Sequence, residues 1–226
     1  MVRVANRRLV IRSALALTAL AVLSGPTFAH PHVWVTMTSS VLLSQEGLIE
    51  GVRLNWTFDD AYAELALEGL DVDGNGDYSA AELAPLTRDN IASLGDYGYF
   101  TFMRGNGAAR PIGGAQDEDQ VWKDGKLTMS FTVPLVEPID PRKEAFELKI
   151  YDPEFFIAFD YASAEPVSVT GSMPATCRLD VAPVPTDAEL NQTRTMLASK
   201  GKDWKPEDSM DFGSMFAQAV SIPCRQ

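Results

Sequence analysis

Leu48-Ile49-Glu50-Gly51-Val52-Arg53-Leu54-Asn55-Trp56-Thr57-Phe58 alternates along most of its length, and at Asp59-Asp60 the period changes. A repeat of two puts Leu48, Val52, Leu54, Trp56 and Phe58 on one face of a strand. Beyond Asp60, Tyr62, Leu65, Ala66 and Leu70 recur at helical spacing, which predicts a helix over about 60–70. Twelve residues from Asp71 to Glu82 follow, then a second short helix to about Leu94 that Pro85 should shorten or bend. One switch of period therefore predicts a helix–loop–helix inserted into a β-rich chain.

The loop reads Asp71-Val72-Asp73-Gly74-Asn75-Gly76-Asp77-Tyr78-Ser79-Ala80-Ala81-Glu82. Every constrained position of the EF-hand pattern is filled. Asp71, Asp73 and Asn75 offer side-chain oxygens, Gly76 permits the sharp turn, Asp77 ligates through its carbonyl and Ser79 through water. Glu82 closes the shell with both carboxylate oxygens. Hard oxygens in this number suit Ca²⁺, whereas Mg²⁺ prefers a tighter octahedron. Asp-Gly-Asn-Gly is also ordinary turn chemistry, and Ser79 to Glu82 is a capping box that needs no metal. Neither alternative requires Asp71, Asp73, Gly76 and Glu82 together. A single hand favours a structural ion over a switch.

Outward from this insert the chain reads as strands. Val33, Val35 and Met37 share a face, Gln45-Glu46-Gly47 is a turn, and strand-like runs recur at Tyr97–Met103, Lys126–Leu135, Glu144–Tyr151, Phe155–Tyr161 and Val167–Thr170. Asp152-Pro153-Glu154 reads as a turn and the polar stretch Arg104–Lys123 as a mobile loop. Val181–Pro185 reads as a linker, and helical patterns follow at Asp187–Lys200 and Asp211–Val220. The expected class is α+β: mostly antiparallel β, a single inserted EF-hand at about 60–94, and C-terminal helices. Residues 30–176 would form the β-rich domain and 177–226 a disulfide-closed helical segment.

Residues 1–29 read as a signal peptide. Arg3, Arg7, Arg8 and Arg12 precede an apolar stretch, Ala14–Leu23, that is too short to span a bilayer, and Thr27-Phe28-Ala29 supplies small residues for cleavage after Ala29. The expected location is the periplasm, with no membrane insertion after cleavage. Loss of four arginines takes the 19 basic residues to 15 against 31 acidic ones, a net charge of −16. Such a balance argues against nucleic acid or anionic lipid as a partner. Cys177 and Cys224 are the two cysteines, and an oxidising compartment favours a disulfide between them. Paired metal thiolates are the alternative, with no CxxC spacing to support it.

Both histidines, His30 and His32, open the expected mature chain. A free N-terminal His30 offers its α-amine and ring as a chelate, and in an extended strand His32 lies on the same side. Imidazole nitrogens favour Zn²⁺, Ni²⁺ or Cu²⁺. Pro31 has no N–H, which excludes the amino-terminal copper/nickel motif that deprotonates the second amide. The competing reading is a polar start with no ligand role. An enzyme is not expected: copper oxygenase chemistry needs a further histidine after His32, and no free thiol or phosphate-binding glycine loop is present.

Several segments together resemble a family of exported bacterial proteins catalogued as a domain of unknown function. They are Ala29-His30-Pro31-His32-Val33-Trp34, Trp56-Thr57-Phe58-Asp59, the loop ending in Glu82-Leu83, Tyr97-Gly98-Tyr99-Phe100-Thr101, Tyr151-Asp152-Pro153-Glu154-Phe155-Phe156 and the two C-terminal cysteines. Members of that family are labelled periplasmic components of an ABC-type transport system and are often encoded beside nickel/cobalt-type permeases. The resemblance implies a periplasmic role beside a membrane metal permease or ABC transporter and identifies no reaction. Two functions follow: a calcium-binding accessory of transition-metal transport, or a calcium-stabilised interaction module without a transition-metal site.

Overall fold

The hairpin read from the sequence forms the centre of the larger of two sheets. Strand β1 (Val33–Leu43) pairs antiparallel with β2 (Ile49–Phe58), with Met37 opposite Trp56. These and the following features come from a computed structural model that describes residues 31–186, 195, 211 and 213–225. The larger sheet runs β5 (Gln116–Lys123), β6 (Lys126–Ile139), β2, β1, β8 (Ile157–Tyr161), with β9 (Val167–Thr170) also on β1. Both β8 and β9 pair with β1 in parallel, β8 along its first half and β9 along its second. The smaller sheet is antiparallel: β10 (Asp180–Val181), β11 (Val220–Ser221), β7 (Phe146–Ile150), β3 (Thr101–Gly105), β4 (Ala108–Ala109).

One hydrophobic core takes side chains from both sheets. Trp56 is 1% exposed and meets Phe131 edge-on and Phe159, with ring centroids 4.9 and 4.8 Å away. Val52, Leu54, Trp56 and Phe58 are buried as their period requires, whereas Leu48 is only half-buried and Ile49, beyond the register slip at Gly51, takes the core position.

The α+β expectation is corrected to mainly β. Among the described residues there are two short α-helices, α1 (Asp60–Leu67) and α2 (Ala80–Gly95), set against two sheets. Among the described residues the helix expected at Asp211–Val220 is not seen. Over Asp211–Val220 the described residues form a 3-10 turn at Gly213–Met215 and then enter β11. A tertiary contact overrides the local pattern there: a Cβ at Gly213 would lie 1.9 Å from the Asp152 carbonyl, and Val220 pairs with Leu148. The pattern at Asp187–Lys200 lies, except for Thr195, outside the described residues, as does the segment 1–29.

Two further expectations change. Residues 116–123 are not a loop but an edge strand whose first four residues are exposed and whose buried residue is the polar Gln120, so no apolar alternation marked it. Tyr97–Met103 begins with a 3-10 turn in which Tyr99 and Phe100 take φ of 52° and 49°, driving both rings into the core before β3 starts. Pro85 sits inside α2 without ending it. No helix among the described residues is long and apolar enough to cross a membrane.

Candidate metal centre

Asp59 starts the path to the loop. It caps α1 by accepting the Tyr62 N–H, and α1, eight residues or about 12 Å long, delivers the chain to Asp71. The backbone of the loop then turns on two glycines with φ of +71° at Gly74 and +80° at Gly76. No atom lies within 4 Å of where their Cβ would be. The conformation, not crowding, demands glycine at both positions.

The carboxylates are oriented by the loop's own amides. Asp71 accepts the N–H of Asn75 at 3.1 Å and of Gly76 at 3.0 Å. Asp73 accepts the backbone and side-chain N–H groups of Asn75 at 3.1 and 2.9 Å. Asn75 Oδ1 in turn accepts the Asp77 N–H at 2.7 Å. Glu82 ties the two ends together: Oε1 accepts the Val72 N–H at 2.9 Å, and Oε2 accepts the Ser79 N–H at 2.8 Å and the Ser79 hydroxyl at 2.7 Å. Ser79 Oγ accepts the Glu82 N–H, completing the capping box that begins α2. The Ser79 N–H first, then its hydroxyl, then the Val72 N–H hold the Glu82 carboxyl at about 2, against an ordinary 4.5.

One oxygen each from Asp71, Asp73 and Glu82 lie within 4.8 Å of one another. Two oxygens bound to one Ca²⁺ at about 2.4 Å are at most about 4.8 Å apart, so the spread matches what that ion can close. Among the described residues no other group of three or more His, Cys, Asp or Glu side chains has this property. Asn75 joins the cluster through hydrogen bonds to Asp73, whereas the Asp77 side chain turns to the Tyr78 N–H at 2.9 Å. Tyr78 anchors the loop by meeting Trp122 of β5 edge-on, with centroids 5.6 Å apart. Cys177 and Cys224 are bonded to each other.

His32 stands apart from this cluster, and His30 lies outside the described residues. The His32 N–H donates to the Phe156 carbonyl at 2.8 Å, and its ring lies 4.6 Å from the Phe156 ring.

A family described as "Protein of unknown function (DUF1007)" matches residues 15–224. The chain belongs to the DUF1007 family. It is also 24% identical over 198 residues to an uncharacterized protein of Haemophilus influenzae, covering 87% of this chain and 91% of that one.

In this DUF1007 chain, four of the separated segments that carry the resemblance, those containing Trp34, Asp59, Phe100 and Asp152, are joined at one end of the larger sheet. The Trp34 N–H donates to Asp59 Oδ2 at 2.7 Å, and the Asp59 N–H returns to the Trp34 carbonyl at 3.0 Å. Partial burial raises the Asp59 carboxyl, but the Trp34 and Tyr62 N–H groups outweigh it and hold the carboxyl below its usual range. Asp152 is 6% exposed and accepts the N–H groups of Glu154, Phe156 and Ile157, each at 2.9 Å. That turn starts β8 beside Val33 of β1 and carries Phe156 to His32. Tyr151 N–H donates to the Phe100 carbonyl and its hydroxyl to Asp211, which joins the 97–101 segment and the C-terminal chain to the same end. Sequence reading passed over Asp59 and Asp152 as organisers. Their signals were an aspartate just before a helical period and an Asp-Pro-Glu turn.

Proposed function

We propose that this protein is a periplasmic calcium-binding accessory of a transition-metal transport system, in which Ca²⁺ holds the 71–82 loop and the N-terminal histidines contact the transported metal. The observation that carries the calcium reading is the closure of Asp71, Asp73 and Glu82 oxygens within 4.8 Å, in a loop that fills the EF-hand pattern. The chemistry of the donors agrees, since all are hard oxygens. Asp71, Asp73, Asn75 and Glu82 would hold the ion through side chains, Asp77 through its carbonyl and Ser79 through water. The ion supplies charge neutralisation and cross-linking of the two helix ends.

Calcium titration by calorimetry tests this. One site is expected, with a Kd useful even at ~10⁻⁴–10⁻³ M, as in extracellular modules. Glu82→Ala should abolish both the heat and the calcium-induced rise in Tm. Unchanged affinity in that variant would remove the loop from consideration.

The transport reading rests on the export signal expected at 1–29, the His30-Pro31-His32 start and the resemblance to proteins encoded beside nickel/cobalt-type permeases. Its partner would be a membrane metal permease or ABC transporter. Calcium-loaded protein beginning at His30 should bind Zn²⁺, Ni²⁺ or Cu²⁺ through the α-amine and the two rings. His30→Ala and His32→Ala should each weaken that binding, and an added N-terminal glycine should block the amine chelate. Calcium binding should be indifferent to all three changes. One observation favours the second reading, a calcium-stabilised interaction module: the His32 ring already packs against Phe156 at 4.6 Å. Equal transition-metal binding by the parent and the double-histidine variant would decide for that module.

A further inference from the structure

Helix α1 carries two adjoining exposed stripes. Asp60, Glu64 and Glu68 recur at every fourth position and form an acidic row about 12 Å long. Next to it stands Leu65, 72% exposed, on a helix whose other face supplies Ala63 and Leu67 to the core. This face borders an open groove of about 900 Å³ that is also lined by Tyr78 of the loop and Trp122 of β5. Two aromatic rings, an exposed leucine and a row of carboxylates thus share one concave surface. The rim already seats a cation, because Lys126 places its ammonium 2.5 Å from Asp60. Among the described residues no basic side chain lies within ion-pair distance of Glu64 or Glu68.

Each element selects the same occupant. Carboxylates at helical spacing attract ammonium or guanidinium groups, and Tyr78 and Trp122, which line the groove, are side chains that attract the same cations. Leu65 and the groove floor favour apolar groups beside those cations. We propose that the groove beside α1 docks a lysine- or arginine-bearing apolar segment of a partner protein. The acidic row sets the charge and orientation of that segment, and Leu65 with the aromatic wall takes its apolar side chains. This assignment does not rest on the calcium reading, although Tyr78 belongs to both.

Fluorescence anisotropy with a labelled lysine–leucine amphipathic peptide, and with a glutamate–leucine peptide of equal length, provides the test. The protein is used with excess CaCl₂ and separately in EDTA, and binding in either condition supports docking, so loss of the calcium reading leaves the assay intact. The lysine–leucine peptide should bind and the glutamate–leucine peptide should not. Glu64→Lys with Leu65→Ser should weaken binding about tenfold or more, since charge reversal at a docking face is costly. Glu137→Lys with Val136→Ser makes the same charge change and a similar apolar loss on exposed positions of β6, and should leave binding within about twofold of the parent. All four positions are exposed, and an unchanged Tm verifies the fold of each variant. No binding, or equal loss in both double variants, would show only general attraction to an acidic surface and overturn the proposal. A dimer seen by sedimentation that only the Glu64/Leu65 variant dissolves would place a second copy in the groove and overturn it equally.

Discussion

Glu82 links the loop's two functions, because the carboxylate that would bind a cation also joins Val72 to Ser79 when no cation is considered. Its pKa is lowered in the folded chain to about 2, so it contributes stability that is full above about pH 4.5 and lost as pH falls toward 2. In calcium-free buffer the Tm of the parent should therefore exceed that of Glu82→Gln by a constant margin above pH 4.5. That margin should shrink steadily between pH 4.5 and pH 2. A margin independent of pH would mean that the charge of Glu82 does not hold the loop. Asp152 plays a comparable part elsewhere. Asp152→Ala removes a buried acceptor from three N–H groups of a part-buried turn and should cost about 1–3 kcal/mol in urea unfolding.

At the scale of elements, β2 and β6 meet at a position with no room for a side chain. A Cβ on Gly51 would lie 2.5 Å from the Val133 carbonyl oxygen and 2.9 Å from the Pro134 Cα. Gly51 pairs with Pro134, and the register slips between Ile49 and Gly51. A proline inside a central strand removes a ladder donor, and a glycine opposite it lets the backbones close past the irregularity. Gly51→Val should lower stability by about 2 kcal/mol through overpacking, read as a reduced urea midpoint at unchanged slope. The β5–β6 hairpin shows a signal that could have been read in the sequence. Asp124 and Gly125 both have positive φ, as a two-residue type I′ turn requires, and Asp-Gly is the pair that favours it. The following flank reads as a strand from the sequence, whereas the preceding one, β5, reads as a loop because its inward residue beside Trp122 is the polar Gln120 rather than an apolar one.

For the whole molecule, the described C-terminal residues are tied to the rest by the short strand β11, by the Tyr151–Asp211 hydrogen bond and the stacking of Phe216 on Phe155, and by one covalent link. β11 joins β7 through Val220 and Ser221, and the Cys177–Cys224 bond closes the segment 47 residues apart in sequence. Closing such a loop is worth about 4 kcal/mol on the chain-entropy account. Cys177→Ser with Cys224→Ser should therefore destabilise the protein by roughly 2–4 kcal/mol. Hydrogen exchange should rise first at Val220 and Leu148, before the β1–β2 hairpin. Two alkylatable thiols in protein purified without reductant would contradict the pairing.

The sequence alone determined those features whose signal is local. The alternation through Val52–Phe58 specifies a strand with one buried face, the change of period at Asp59 starts a helix, and the 71–82 spacing brings Asp71, Asp73, Asp77 and Glu82 into one loop. Tertiary structure decided whatever depends on a distant partner. Parallel pairing of β1 with β8 brings His32 to Phe156, and close approach of Gly213 to Asp152 replaces a helix with a 3-10 turn. An exposed strand such as β5 takes its conformation from the hydrogen-bonding edge of β6, and that edge leaves no periodic trace in the side chains of β5.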